Sequence, residues 1–312
     1  MVDQYGRLVD YLRISITDRC NLHCAYCSHQ NENYYATASE LLTKEEILMA
    51  CRSISRLGIR KVRITGGEPF VRPDAIEIMK EIKKISRIEH ISVTTNGALL
   101  KEQLEQIKGI GLDGINISLD TLNADKYKEL VKGSDLESVL ESIKALATME
   151  NGPVVKINCL AMREWNLDEI ATIAELAKDY SISVRFIELM PIGIGEQYTP
   201  IYQDEIMKLL EVEYGTLTPY NEKLGNGPAK YYEIEGFKGK IGFISSMSHG
   251  FCGDCNRIRL TADGQLKLCV EQNSKLNVRD VIRRGTEEGV LTEIISSAIF
   301  LKPKHNTFCK RK

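Results

Sequence analysis

No apolar run in this chain of 312 residues exceeds the length of a strand, far short of the roughly 20 residues that a membrane span needs. The first residues, MVDQYGRLVDY, hold acidic side chains and no apolar stretch, which does not fit a signal peptide. Charge of one sign is also missing. A net charge of −2 leaves no global basic field for nucleic acid or an anionic membrane, so any cations that bind an anion must be gathered locally. No internal repeat is visible. A cytoplasmic, reducing setting is expected, in which the nine cysteines do not make a disulfide framework. Their odd number and uneven spread favour metal ligation: Cys20, Cys24 and Cys27 form one group, Cys252, Cys255 and Cys269 another, and three stand singly.

With 43% hydrophobic and 27% charged residues, the composition is that of an ordinary globular protein. Short runs rich in β-branched residues alternate with amphipathic helical patterns. The strand candidates are 12–17, 61–65, 91–95, 114–118, 154–160 and 183–189. Thr43 and Glu46 make a capping box ahead of a helix whose apolar face is Ile47, Ala50, Cys51, Ile54 and Leu57. A second helix carries Leu136, Val139, Leu140, Ile143 and Leu146; a third follows Asn166. Six strands, each followed by a helix, imply parallel βα units with right-handed crossovers. A full eightfold barrel needs about two units more, so the expected fold class is α/β, an incomplete TIM-like (βα)6 barrel. After about residue 220 the pattern changes. NEKLGNGP reads as a loop, and hairpin-like strands follow, one pair joined at Ala262-Asp263-Gly264, with two short helices at the end. Residues 1–220 are thus expected to form the barrel and 221–312 a smaller α+β module.

The first cysteine group is a C-x3-C-x2-C run directly after the first strand, where βα loops of barrels collect reactive groups. Three thiolates hold three irons of a [4Fe–4S] cluster and leave the fourth open. A structural zinc site with His23 or His29 as fourth ligand is the competing reading. Gly66-Gly67-Glu68-Pro69 follows the second strand, where glycines admit a close approach of backbone. The second group, C-x2-C-x13-C, again has three thiols, and His249 could complete a zinc site there.

Cations punctuate the strands. Arg257 and Arg259 alternate and so share a face, as do Lys61 and Arg63. Arg13 lies in the first strand, Lys156 interrupts VVKINCL and Arg185 interrupts SVRFIEL. Cations in apolar strands are costly to bury without partners, so the set suggests a polyanion bound among them. Pairing with local carboxylates such as Glu68, Asp120 or Glu188 would account for one or two. Cys51 and Cys159 read as buried small hydrophobes, and Cys309 as a residue of an exposed basic tail.

TDRCNLHCAYC and GGEP together resemble radical S-adenosylmethionine (SAM) enzymes, and the C-terminal C-x2-C-x13-C is similar to that of the GTP 3′,8-cyclase family of molybdenum cofactor biosynthesis. The resemblance runs from YLRIS to KPKH. It implies two [4Fe–4S] clusters, one on each cysteine group, and SAM held by Tyr26, Gly66, Gly67, Glu68, Ser118 and Met190. It also implies GTP as substrate, bound by Arg13, Lys61, Arg63, Thr94, Lys156, Arg185, Arg257 and Arg259. By the same resemblance, the radical drawn from SAM is expected to take the ribose 3′-hydrogen and the product to be 3′,8-cyclo-7,8-dihydro-GTP, with Arg13 expected to take part in the final step. An electron donor such as flavodoxin or ferredoxin and a homodimer are implied as well. Two departures stand out: Ser28-His29 replaces the Met-Pro common in the family after the third cysteine, and the chain ends in HNTFCKRK without a Gly-Gly pair. The rival readings are a radical SAM peptide-modifying maturase with an auxiliary cluster, and a non-catalytic zinc or iron–sulfur protein.

Overall fold

The computed structural model describes residues 1–27, 35–222, 224–271 and 275–306; Ser28-His29 and the final HNTFCKRK beyond Asn306 lie outside them. In chain order the strands are β1 (Tyr11–Ser15), β2 (Lys61–Thr65), β3 (His90–Thr95), β4 (Gly114–Ser118), β5 (Val154–Ala161) and β6 (Ser183–Glu188). Five more follow: β7 (Thr218–Tyr220), β8 (Lys230–Glu233), β9 (Lys240–Ile244), β10 (Arg257–Leu260) and β11 (Leu266–Lys267). All six expected strands are present within a residue or two. The helices between them include α1 (Lys44–Arg56), α2 (Ala75–Lys83), α3 (Leu100–Ile110), α4 (Ala124–Val131) and α5 (Leu136–Ala147). The single helix expected after Asn166 is broken into short pieces, among them 170–174 and 176–179. No helix among the described residues is long and apolar enough to cross a membrane.

The chain divides into two compact units. The first comprises Met1–Asn21, Asn31–Thr94 and Cys252–Lys312; the second comprises Leu22–Gln30 and Thr95–Phe251.

In the first unit the strand order is β11-β10-β1-β2-β3. β10, β1, β2 and β3 run parallel in unbroken register, and β11 turns back antiparallel on β10 through Gly264, whose φ of +89° suits only glycine. One face of these strands is apolar: Leu12, Ile14, Val62, Ile64, Ile91, Val93, Ile258 and Leu260 are buried. The α1 helix starts with the expected capping box, the Thr43 side chain accepting from Glu46 N and Glu46 from Thr43 N. It buries Ile47, Ala50, Cys51 and Ile54. Parallel strands are ordinarily apolar on both faces. Here the opposite face carries Arg13, Lys61, Arg63, Arg257 and Arg259, and a sheet departs from apolar lining only where something polar must be met.

In the second unit the order is β4-β5-β6-β9-β8-β7, the first four parallel and the last two antiparallel. The hairpins expected late in the chain are present, but they make no sheet of their own: β9 pairs with β6, and in the first unit β10 pairs with β1.

Candidate functional site

The chain leaves β1 and runs to Cys20 clasped against the Gly66-Gly67-Glu68 segment that follows β2. Gly67 N donates to Thr17 O at 2.9 Å and Glu68 N to Arg19 O at 2.8 Å. A Cβ on Gly66 would lie 2.8 Å from Thr17 O, and one on Gly67 only 2.3 Å from Arg19 O. The closest approach these glycines allow is therefore to the chain leading into the first cysteine. Glu68 is fully buried, and its carboxylate caps the turn at Pro69–Val71 by accepting from Phe70 N at 3.1 Å. Arg72 fastens the same segment, donating to Ile16 O at 2.6 Å and Leu42 O at 2.9 Å.

Cys24 and Cys27 belong to the second unit. His23 N donates to Val131 O and Ala25 N to Leu130 O at the end of α4, while Cys27 N closes a turn on Cys24 O. Between the two thiols, Tyr26 donates its hydroxyl to Asp120 Oδ2 at 2.5 Å; Asp120 Oδ1 accepts from Leu160 N at 2.7 Å. Burial raises the Asp120 carboxyl from 3.8 to about 6 despite both bonds. Burial, with Asp120 beside it, also pushes the Tyr26 phenol well above its ordinary value. Ser118 stands half-buried at the end of β4, and Met190 half-buried just after β6.

The second cysteine group lies wholly in the first unit. Cys252 opens a short turn, Cys255 precedes β10 and Cys269 follows β11; all three are half-buried. Burial alone would raise the Cys255 thiol, but the Arg257 and Lys302 cations outweigh it and hold it below the ordinary thiol range. The contrast with the single cysteines is sharp: burial pushes Cys51 up to about 12 and Cys159 well above the ordinary value. Three thiols around β10 and β11, one already poised to ionise, are the donor type that suits a soft metal or an iron–sulfur cluster, although among the described residues no three such donors are placed to hold a single metal ion.

The register of the first unit sets Arg259, Arg13, Arg63 and Ser92 in one row across β10, β1, β2 and β3. Neighbouring strands are about 4.8 Å apart, so three guanidinium stems stand side by side. Arg13 Nε is buried and makes no hydrogen bond; the same holds for Thr94 Oγ1 and Tyr11 Oη. Burial first, then Arg259, Arg63 and Arg257, depress the Arg13 guanidinium well below its ordinary value. Burial and Arg257 likewise bring Arg259 down to about 10. Arg63 stacks over the Tyr11 ring. Lys61 differs, since it is paired with Asp10 at 2.5 Å. In the second unit Lys156, 7% exposed, donates to Leu224 O at 2.9 Å and faces the Tyr231 ring. Arg185, 3% exposed, donates to Asn116 Oδ1 and Asn158 Oδ1, each at 2.5 Å.

The three carboxylates named as possible partners for these cations are otherwise engaged. Glu68 caps a turn, Asp120 holds Tyr26, and Glu188 accepts from Gln203 N, Met247 N and Ser248 N. Sequence reasoning missed Arg7 and Lys302, which stand behind the second cysteine group. Their signal was weak, because a lysine and an arginine near the chain ends ordinarily read as solvated.

Parallel βα units with a three-thiol run after the first strand and a Gly-Gly clasp after the second define a radical SAM class of protein. A family model described as Radical SAM superfamily matches residues 14–177, and one described as Molybdenum Cofactor Synthesis C matches residues 182–308. The chain is 46% identical to a GTP 3′,8-cyclase of Clostridium perfringens (strain 13 / Type A), over 100% of this chain and 96% of that protein. It is 42% identical to a GTP 3′,8-cyclase of Syntrophomonas wolfei, over 97% and 93%. Streptococcus suis SuiB bound to S-adenosylmethionine shares the fold, with a TM-score of 0.65 and 16% identity over 93% of this chain and 68% of SuiB. The chain belongs to the GTP 3′,8-cyclase family of radical SAM enzymes, and its fold class is the α/β class expected from the sequence.

Proposed function

We propose that this chain is the radical SAM lyase that converts GTP to 3′,8-cyclo-7,8-dihydro-GTP, the first step of molybdenum cofactor biosynthesis. The observation that carries the reading is the Arg259–Arg13–Arg63 row with its unbonded buried Nε. Like charges so close, with no carboxylate paired to them among the described residues, are costly unless a polyanion bridges them, and forked guanidiniums fit a triphosphate. Family membership and full-length identity to named cyclases support the same substrate.

Cys20, Cys24 and Cys27 would hold one [4Fe–4S] cluster, and Cys252, Cys255 and Cys269 would hold a second. With SAM bound, the first site supplies the one-electron chemistry that removes a hydrogen atom from the ribose. Tyr26, Gly66, Gly67, Glu68, Ser118 and Met190 form the SAM site. Tyr26 is fixed by Asp120, and the glycines hold the segment entering Cys20. Arg13, Lys61, Arg63, Thr94, Lys156, Arg185, Arg257 and Arg259 bind GTP, and the unbonded Thr94 hydroxyl is available to a substrate oxygen. Arg13 serves the final electron-and-proton step from its place in the row between Arg259 and Arg63. Residues 1–220 carry the SAM chemistry and 221–312 the second cluster. The protein works in the cytoplasm as a homodimer and takes electrons from a flavodoxin or ferredoxin.

The test is anaerobic reconstitution, with iron and sulfide counted, followed by incubation with dithionite, SAM and GTP. About eight irons, one [4Fe–4S] per cysteine group, with 5′-deoxyadenosine and cyclised GTP both formed, are expected. Deoxyadenosine without cyclised GTP points to another substrate, and zinc without SAM cleavage overturns the reading.

A further inference from the structure

Lys302 is one of the largest fully buried side chains of the protein, 2% exposed, and no carboxylate among the described residues pairs with it. A buried ammonium needs compensation. Its partners are two backbone carbonyls, Arg257 O at 2.8 Å and Leu268 O, together with the Cys255 side chain. Those carbonyls lie two residues after Cys255 and one before Cys269. One cation thus fastens both strands of the β10–β11 hairpin at the points where it presents its thiols.

Arg7 completes the arrangement. Its Nη1 donates to Cys252 O at 2.8 Å and Lys304 O at 2.9 Å, and its Nη2 to Pro303 O at 2.6 Å. Asp3 anchors Arg7 at 2.6 Å and caps the turn between them, accepting from Tyr5 N and Arg7 N. Arg7 therefore holds Cys252 and the very segment that delivers Lys302. Each of the three cysteines is tied to one of two buried cations, through its own carbonyl or that of a near neighbour.

We propose that Lys302 is a positioning and charge-setting residue for an iron–sulfur cluster on Cys252, Cys255 and Cys269, a proposal that rests on reading that group as a cluster site. A cluster on three thiolates gains negative charge when reduced. A fixed cation a few ångströms away in a dry setting stabilises the reduced form more than the oxidised one and raises the reduction potential. If only the hydrogen bonds to the two carbonyls mattered, a neutral donor in place of the lysine would leave the potential unchanged.

The experiment uses the full chain with Cys20, Cys24 and Cys27 replaced by serine, so that only the second site takes iron. The potential of that cluster is read by a spectroscopically followed redox titration, and its iron loss to a chelator is timed. Lys302→Met is expected to make the potential more negative and to release iron about tenfold faster, the usual scale for a group that supports metal ligands. Lys302→Gln keeps donors without the charge, so it is expected to hold iron better than Lys302→Met yet share the negative shift. Lys302→Arg is expected to stay near the parent. Should Lys302→Met fail to fold by far-UV circular dichroism, Lys302→Gln decides. An unchanged potential in folded, iron-loaded Lys302→Gln overturns the proposal. A parent that takes up no iron instead overturns the cluster reading beneath it.

Discussion

The two cysteine groups have equal numbers of thiols and are held in different ways. The first is divided between the compact units, Cys20 in one and Cys24 and Cys27 in the other. It is anchored mainly through backbone, by two hydrogen bonds from Gly67 and Glu68 and two more to the end of α4, with one side-chain bond from Tyr26 to Asp120. The second lies in one unit and is backed by Arg7, Lys302 and Arg257. Backbone anchoring fixes where thiols stand without lowering the cost of adding an electron; cations do both. The difference teaches that one chain can place two groups of three thiols by different means, one through hydrogen bonds to neighbouring loops and one with buried cations behind it.

The largest effects come from removing either group. Serine at Cys20, Cys24 and Cys27 is expected to halve the iron to about four and abolish SAM cleavage. Serine at Cys252, Cys255 and Cys269 is expected to halve the iron equally while 5′-deoxyadenosine still forms and cyclised GTP does not. If both triples lose SAM cleavage alike, the two groups are not separable and the comparison breaks.

Recognition should separate from radical chemistry in the same way. Arg13→Ala is expected to weaken GTP binding by about 10- to 100-fold, the loss of charge-assisted bonds worth about 1.5–3 kcal/mol, while the iron count is unchanged. In the empty protein the same change relieves repulsion among Arg259, Arg13 and Arg63, so its melting temperature should not fall. Calorimetric titration with GTP and scanning calorimetry without it check the opposed directions.

The clasp is tested by two glycines. Alanine at Gly67 must displace backbone at Arg19, so it is expected to cost about 2 kcal/mol and to loosen iron at the first site. Gly253 sits between Cys252 and Cys255, and a Cβ there meets nothing within 4 Å, so alanine is expected to change stability by under about 0.5 kcal/mol. Equal iron loss in both variants would remove the distinction between clasped and cation-backed loops.

The last effect is a pH dependence confined to one carboxyl. The Asp120 carboxyl is raised from 3.8 to about 6 by burial, so ionising it costs the folded state. Its contribution to stability is lost as pH rises from about 4 to about 6, on the order of 2–3 kcal/mol, and is level above that. Asp120→Asn lacks this term. Its stability relative to the parent is therefore expected to improve across that window in denaturant titrations, and a flat difference would mean that Asp120 is not buried uncharged.

Much of this was legible in the sequence. The alternation of β-branched runs with amphipathic helices located β1 to β6, since a strand of five or six residues with a buried face has few alternatives. The capping box at Thr43 and Glu46 and the turn at Gly264 were readable because each is a local rule. Both cysteine groups and the paired arginines were visible as spacing. Long-range pairings were not. That β9 joins β6 and β10 joins β1 depends on which edges are open, and periodicity carries no such information. The partners of Asp120 and Glu188 were hidden for the same reason: they come from segments 40 to 94 residues away in one case and 15 to 60 in the other.

The Arg7 bonds also have a meaning in time. The acceptors of Arg7 at Cys252, Pro303 and Lys304 are made some 245 to 297 residues after it. At about 5–20 residues per second, the nascent hairpin at Asp3–Arg7 waits from about ten seconds to a minute for them. Strand β1 likewise waits for β10. The backing of the second thiol site is therefore complete only after Lys304 has been made, whereas the first cysteine run is complete at Cys27, and iron offered during synthesis meets the two runs at different times.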